Sequence, residues 1–237
     1  MPLMLLPFVL LALPASGIAA RQFGESASQL IQRVALAISL SGLLMRCGTV
    51  AFAPDGTSSR DTRGLRAPAL NTSGVYSLVR HPLYLGAGLM WIGVAMSLRV
   101  WWLVVIVGLA YWLYIERVAI AEEAFLQKTF ADQFHQWASR TPAFLPRFSG
   151  WRPPIGTFQA KRLLSEHNGL LAVAISFAGL QYLVDWSEPW SRYSVDHRDL
   201  LEFASIAIAV SVLCILFRRS PWMRASSHSQ PPQLADR

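Results

Sequence analysis

The sequence predicts an all-α polytopic membrane bundle of about six transmembrane helices with one amphipathic helix outside the bilayer. Two observations carry this. Hydrophobic residues make up 53% of the 237-residue chain and charged residues only 15%, more apolar surface than a soluble core of this size would bury. Several windows of about 20 residues are also almost free of charge, the length needed to cross a bilayer as a helix.

The elements follow in order. Helices are predicted at Pro2–Ala20, Leu30–Phe52, Leu83–Leu98, Val100–Ile115, Leu163–Val184 and Leu200–Phe217. The first run ends in the small residues of 15–20, but no Lys or Arg precedes it as in a signal peptide, so it is read as an uncleaved helix. The third and fourth are separated only by Ser97-Leu98-Arg99-Val100 and should form a tight hairpin anchored at the interface by Trp101 and Trp102. The Gly-, Pro-, Ser- and Thr-rich segment 53–73 reads as a mobile loop, and the polar tail 220–237 as disordered. Between them, Leu126, Phe130, Phe134 and Trp137 recur at helical spacing over Ala119–Ser139 and define an amphipathic helix.

Charge sets an orientation. The chain holds 19 Arg and 2 Lys against 14 acids, a net charge of +7. Most basic residues flank apolar runs, where the positive-inside rule and anionic headgroups account for them without a nucleic-acid partner. Fifteen of the 21 lie in 54–82, in 116–162 or after Phe217, which predicts a bacterial inner-membrane protein with both termini and its two longest polar segments in the cytoplasm. Cys47 and Cys214 lie in apolar helices and read as structural. His135, His167 and His197 lack metal-ligand spacing, and no phosphate-binding glycine loop or nucleophile elbow occurs.

Two polar clusters stand beside the spans. In Gly74–Gly86, Pro82 suits the first position of a helix, which holds His81 at the helix mouth and places Tyr84 one turn further on the same face. Gly86 and Gly88 permit close approach of backbone or ligand. Interfacial anchoring, with Arg80 reaching headgroups, explains the same residues. Beyond the fourth span lie Glu116-Arg117 and Glu122-Glu123. Glu122 shares a face with Leu126 and Phe130, so its carboxylate points into the bundle and requires a partner such as Arg117, Arg80 or a cationic ligand.

Taken with Pro142-Ala143-Phe144-Leu145-Pro146, these blocks resemble the isoprenylcysteine carboxyl methyltransferase and phospholipid methyltransferase family. The chain shows Gly74, Tyr76, Arg80-His81-Pro82, Tyr84 and Gly86, then a membrane hairpin, then Glu122-Glu123, Leu126 and Phe130. It departs from the family in reading Phe130-Ala131-Asp132-Gln133-Phe134 where F-G-x-E-Y is frequent. The resemblance implies S-adenosyl-L-methionine as cofactor, bound by His81, Pro82, Tyr84, Gly86, Glu122 and Glu123. It further implies substrate contacts from Arg80 and Tyr76 and catalytic roles for Glu122 and Arg117. It divides the chain into N-terminal spans 1–53, a catalytic core 54–160, a C-terminal helix pair 161–219 and the tail 220–237. The acceptor would be lipophilic: a prenylcysteine-type carboxylate, a phospholipid amine or a related small lipid entering from the membrane lipids. The competing readings are an NADPH-dependent enone or sterol-type reductase, with Arg140, Arg147 and Arg152 as its phosphate site, and a non-catalytic membrane scaffold.

Overall fold

A computed structural model describes residues 2–53, 69–187 and 198–219; the loop and tail expectations for 54–68, 188–197 and 220–237 lie outside the described residues. No strand occurs among the described residues, and the helices are α1 (Pro2–Phe23), α2 (Glu25–Ala51), α3 (Pro82–Met96), α4 (Trp101–Ala138), the single turn α5 (Ala160–Leu163), α6 (His167–Ser187) and α7 (Arg198–Arg219). Five helical runs are long and apolar enough to cross a membrane, and α3 is a shorter apolar helix of 15 residues. The predicted integral membrane bundle is therefore observed. Its outer surface carries exposed Leu11, Leu44, Leu109, Leu113, Ile175 and Leu213, apolar side chains that acyl chains would cover.

One boundary differs from expectation. A break after Ile115 and a separate helix from Ala119 are predicted, yet α4 continues as one element to Ala138, with non-helical backbone only at Ala131 (φ 39°, ψ −110°). No Gly or Pro falls between Ile115 and Ala119, so nothing stops propagation there. At 38 residues, α4 spans roughly 57 Å, well beyond a hydrocarbon core of about 30 Å, and carries Glu122 and Glu123 out of the apolar slab.

The bundle is organised by α2 against α3. A Cβ on Gly86 would stand 2.6 Å from the Gly42 carbonyl oxygen, and one on Gly93 would stand 2.9 Å from the Ser39 amide nitrogen. Ser39 Oγ donates across the contact to the Met90 carbonyl at 3.1 Å. Small residues thus let two backbones touch, the usual route to close helix packing where lipid removes the hydrophobic drive. Gly93→Val, remote from the polar clusters, is expected to destabilise by about 1–3 kcal/mol through overpacking, read as a lowered thermal midpoint in detergent.

The α3–α4 turn is as tight as predicted, and Arg99 adopts a left-handed φ of 60° there. Its side chain is buried rather than flanking: it donates to Ser16 Oγ at 3.1 Å and to Gln181 Oε1 at 3.5 Å, while Gln32 Nε2 donates to the same Gln181 oxygen at 3.2 Å. This cluster ties α1, α2, the hairpin and α6 at one end of the bundle. Apolar packing of Ala12 and Leu13 against Leu98, Leu103, Val107 and Val184 surrounds it. The motif residues occupy the other end.

Candidate functional site

The site is assembled where the chain enters α3. Gly74 takes a φ of 60°, a conformation that favours glycine, and a 3-10 turn follows over Val75–Ser77. This entry segment lies along the stretch after α4. The Gly74 amide donates to the Arg152 carbonyl at 3.0 Å, Arg80 N to Pro142 O at 2.9 Å, His81 N to Ala143 O at 3.2 Å, and Arg147 N to Leu78 O at 2.9 Å. Trp137 Nε1 donates to the Tyr76 carbonyl at 3.0 Å and Ser77 Oγ accepts from the Arg152 amide at 2.9 Å. The backbone hydrogen bonds, rather than side chains alone, bring the third sequence block onto the first.

Pro82 opens α3 with His81 as its N-cap residue. The imidazole is 4% exposed and sits between both acids of α4: Nε2 is 2.8 Å from Glu123 Oε1 and Nδ1 is 3.7 Å from Glu122 Oε2. Arg80 Nε lies 3.1 Å from the same Glu123 oxygen, and Arg80 Nη1 donates to the Ala138 carbonyl at 3.4 Å. Arg80 thus turns inward to pair with an acid. Glu123, rather than Glu122, is the acid held by two basic groups, while Glu122 Oε2 is buried without a hydrogen-bond partner.

Aromatic rings complete the cluster. His81 stacks on Tyr84 with centroids 5.6 Å apart and lies 5.5 Å from Phe144, which in turn meets Trp112 edge-on at 4.9 Å. Tyr76, also predicted, faces this cluster; burial first and the Glu122 carboxylate second push its phenol well above the usual range. It therefore stays protonated at neutral pH.

Arg117 is exposed on α4, five residues before Glu122 and hence on another face of that helix. The space at the two α3 glycines belongs to neighbouring elements: a Cβ on Gly86 would stand 2.8 Å from Arg46 Cγ, and one on Gly88 would stand 2.9 Å from Tyr111 Cε1. Tyr111 Oη donates to the Tyr84 carbonyl at 2.5 Å.

Sequence reasoning passed over Arg46 and Glu166. Arg46 Nε is 3.0 Å from Glu166 Oε2, Arg46 Nη2 donates to Oε1 at 3.3 Å, and Nη1 donates to the Leu83 carbonyl at 3.2 Å. The pair props the first turn of α3 from α2 and the turn that leads into α6. The signal was present, since Arg46 is a charge well inside a predicted span, where ionisable residues are rare without a partner. Among the described residues no group of three or more His, Cys, Asp and Glu is placed to hold a metal ion.

Residues 32–133 match the family model for phospholipid methyltransferase. The chain is similar to the cobalt-zinc-cadmium resistance protein CzcN of Cupriavidus metallidurans, 33% identical over 135 residues, which cover 52% of this chain and 55% of that protein. The nickel-cobalt-cadmium resistance protein NccN of Alcaligenes xylosoxydans is 31% identical over 128 residues, with the same coverage. The protein-S-isoprenylcysteine O-methyltransferase of Schizosaccharomyces pombe is 31% identical over 77 residues, 32% of this chain and 33% of that enzyme. The chain spans about half the length of the first two relatives. No solved structure matches it. The segment similar to the phospholipid methyltransferase family, residues 32–133, holds both the Arg80-His81-Pro82 turn and the Glu122-Glu123 pair.

Proposed function

We propose that this protein transfers a methyl group from S-adenosyl-L-methionine to a lipophilic acceptor at the cytoplasmic face of the membrane. The observation that carries the reading is the unpartnered Glu122 Oε2, set beside His81, Tyr84 and Phe144 in the segment that matches the family. A buried carboxylate oxygen without a donor is costly, and a ligand ammonium or sulfonium would satisfy it. Aromatic faces alongside add further attraction for a cation. The residues present therefore fit the cofactor: Glu122 toward its positive charge, with Tyr84, Phe144 and Trp112 offering flat surfaces. When bound, it supplies a methyl group activated on sulfur.

The chain's own contribution is positional. Glu123 fixes the His81 ring and the Arg80 guanidinium, and the Pro142–Pro146 segment covers the His81 side. Methyl transfer needs alignment and exclusion of water more than a metal or a strong base. A carboxylate acceptor would need no proton removed, whereas an amine would, with Glu122, the acid not held by Arg80, as the base. At 15 residues, α3 reaches only about 22 Å and cannot span a hydrocarbon core of about 30 Å.

The deciding experiment is calorimetric titration of the detergent-purified protein with S-adenosyl-L-methionine and, separately, NADPH. Saturable binding of the first, lost in His81→Ala, is the expected result; binding of NADPH alone would replace this reading with the reductase. The reductase has one observation in its favour, since Arg140, Arg147 and Arg152 do line a single cavity. Orientation is tested by protease protection of a tag placed within 188–197, expected to be shielded in sealed inside-out vesicles of the cell membrane and cleaved in right-side-out ones.

A further inference from the structure

The cavity that holds these arginines lies apart from the His81 cluster. It encloses about 600 Å³ between the 70–77 segment, the end of α4 and the 147–152 stretch, and its lining includes Arg140, Arg147, Arg152, Gln133, Gln136 and Ser149. No Asp or Glu lines it, and none of Arg80, His81, Glu122 or Glu123 does. Three cations therefore converge on one space without an anion. None of the three takes part in an ion pair among the described residues.

Its walls are fixed by the backbone. The antiparallel bridge between Gly74 and Arg152, the hydrogen bond from the Arg152 amide to Ser77 Oγ, and that from Trp137 to Tyr76 hold the three elements together. Arg147 Nε donates to Ser149 Oγ at 3.2 Å, which orients the guanidinium and leaves its terminal nitrogens for a ligand. A planar guanidinium presents paired donors that match phosphate oxygens.

The stretch that carries Arg147 and Arg152 also exposes large apolar side chains. Leu145 is 82% exposed, Phe148 77% and Trp151, which lines the cavity, 55%, an interleaving of large apolar and basic residues typical of a segment lying at a membrane surface. That stretch marks the bilayer as the source of the anion.

We propose that this cavity binds the phosphate of a lipid with a net negative headgroup, such as phosphatidylglycerol, at a site separate from methyl transfer. A zwitterionic amine headgroup would find no acid here, so the cavity selects for anionic lipid. The inference does not depend on the methyltransferase reading.

The test uses the full chain in detergent, titrated calorimetrically with short-chain phosphatidylglycerol, short-chain phosphatidylcholine, inorganic phosphate and NADPH. Phosphatidylglycerol should bind at least about tenfold more tightly than each of the others. Arg147→Gln with Arg152→Gln should abolish that preference, Arg147→Lys should weaken it through loss of the paired donors, and S-adenosyl-L-methionine affinity should remain within about twofold. Equal binding of the two lipids, equal or tighter binding of inorganic phosphate or NADPH, or an unchanged double variant would overturn the proposal. All three arginines are exposed, so the variants should fold, and an unchanged thermal midpoint verifies it. Loss of S-adenosyl-L-methionine binding in the same double variant would equally overturn it, because the cavity would then be part of the cofactor site.

Discussion

Glu123→Gln is expected to weaken S-adenosyl-L-methionine binding by about tenfold to a hundredfold and to lower the thermal midpoint as well. Glu123 Oε1 accepts from or pairs with both basic groups of the motif, at 2.8 Å from His81 Nε2 and 3.1 Å from Arg80 Nε. Removing its charge leaves the His81 imidazole, 4% exposed, with only the longer 3.7 Å approach to Glu122. Charge-assisted hydrogen bonds at a partly buried site contribute about 1.5–3 kcal/mol, and each 1.4 kcal/mol is tenfold in affinity. The Glu123 side chain is 26% exposed, so solvent screening holds the estimate to the lower part of that range.

Its neighbour provides the contrast. Glu122 Oε2 makes no hydrogen bond and only the 3.7 Å approach to His81 Nδ1, so Glu122→Gln should lower the thermal midpoint less than Glu123→Gln does while cofactor affinity falls. Calorimetry and thermal unfolding on the same two variants separate the roles. Equal loss of stability in both would mean that Glu122 is a structural residue and that the site lies elsewhere.

The fold was largely legible in the sequence because bilayer insertion demands long uncharged runs, and each of the six appeared as a helix near its expected limits except at the end of the fourth. The error at Ile115 has a physical origin. Hydropathy marks where lipid ends, whereas a helix ends only where a breaker or cap stops it; Glu116 and Arg117 changed the solvent of α4 without interrupting its hydrogen bonds. The depth of Arg99 was also hidden, since a turn residue between two spans reads as interfacial until its partners Ser16 and Gln181, on distant helices, are known.

The three blocks of the site were legible as motifs, but their division of labour was not. Helical spacing put Glu122 on the inward stripe and Glu123 about 100° away, yet the segment entering α3 crosses α4 so that both carboxylates reach His81. That crossing is set by long-range backbone bonds such as Arg80 N to Pro142 O, which no local periodicity encodes. The glycines of α3 were read correctly as sites of close approach, and it is α2 and Tyr111 that approach them.

The second large effect is expected at Arg46. The Glu166 side chain is only 2% exposed, and its two oxygens are held by Arg46 Nε and Nη2. Arg46→Met leaves that carboxylate buried without its main partner, a change that costs about 3–5 kcal/mol in comparable pairs, and it withdraws the donor from the Leu83 carbonyl in the first turn of α3. Unfolding should shift to markedly lower temperature. The double variant Arg46→Met, Glu166→Leu removes both charges and should recover much of the loss, because the desolvation of two buried ions offsets most of what their pairing gains over well-packed apolar side chains. Cofactor affinity discriminates further: if Arg46 acts by holding the mouth of α3, the double variant recovers stability but not full affinity, since the Leu83 carbonyl still lacks its donor. Recovery of both in a double-mutant cycle would reduce the pair to a packing element, and recovery of neither would place Arg46 in direct contact with the ligand.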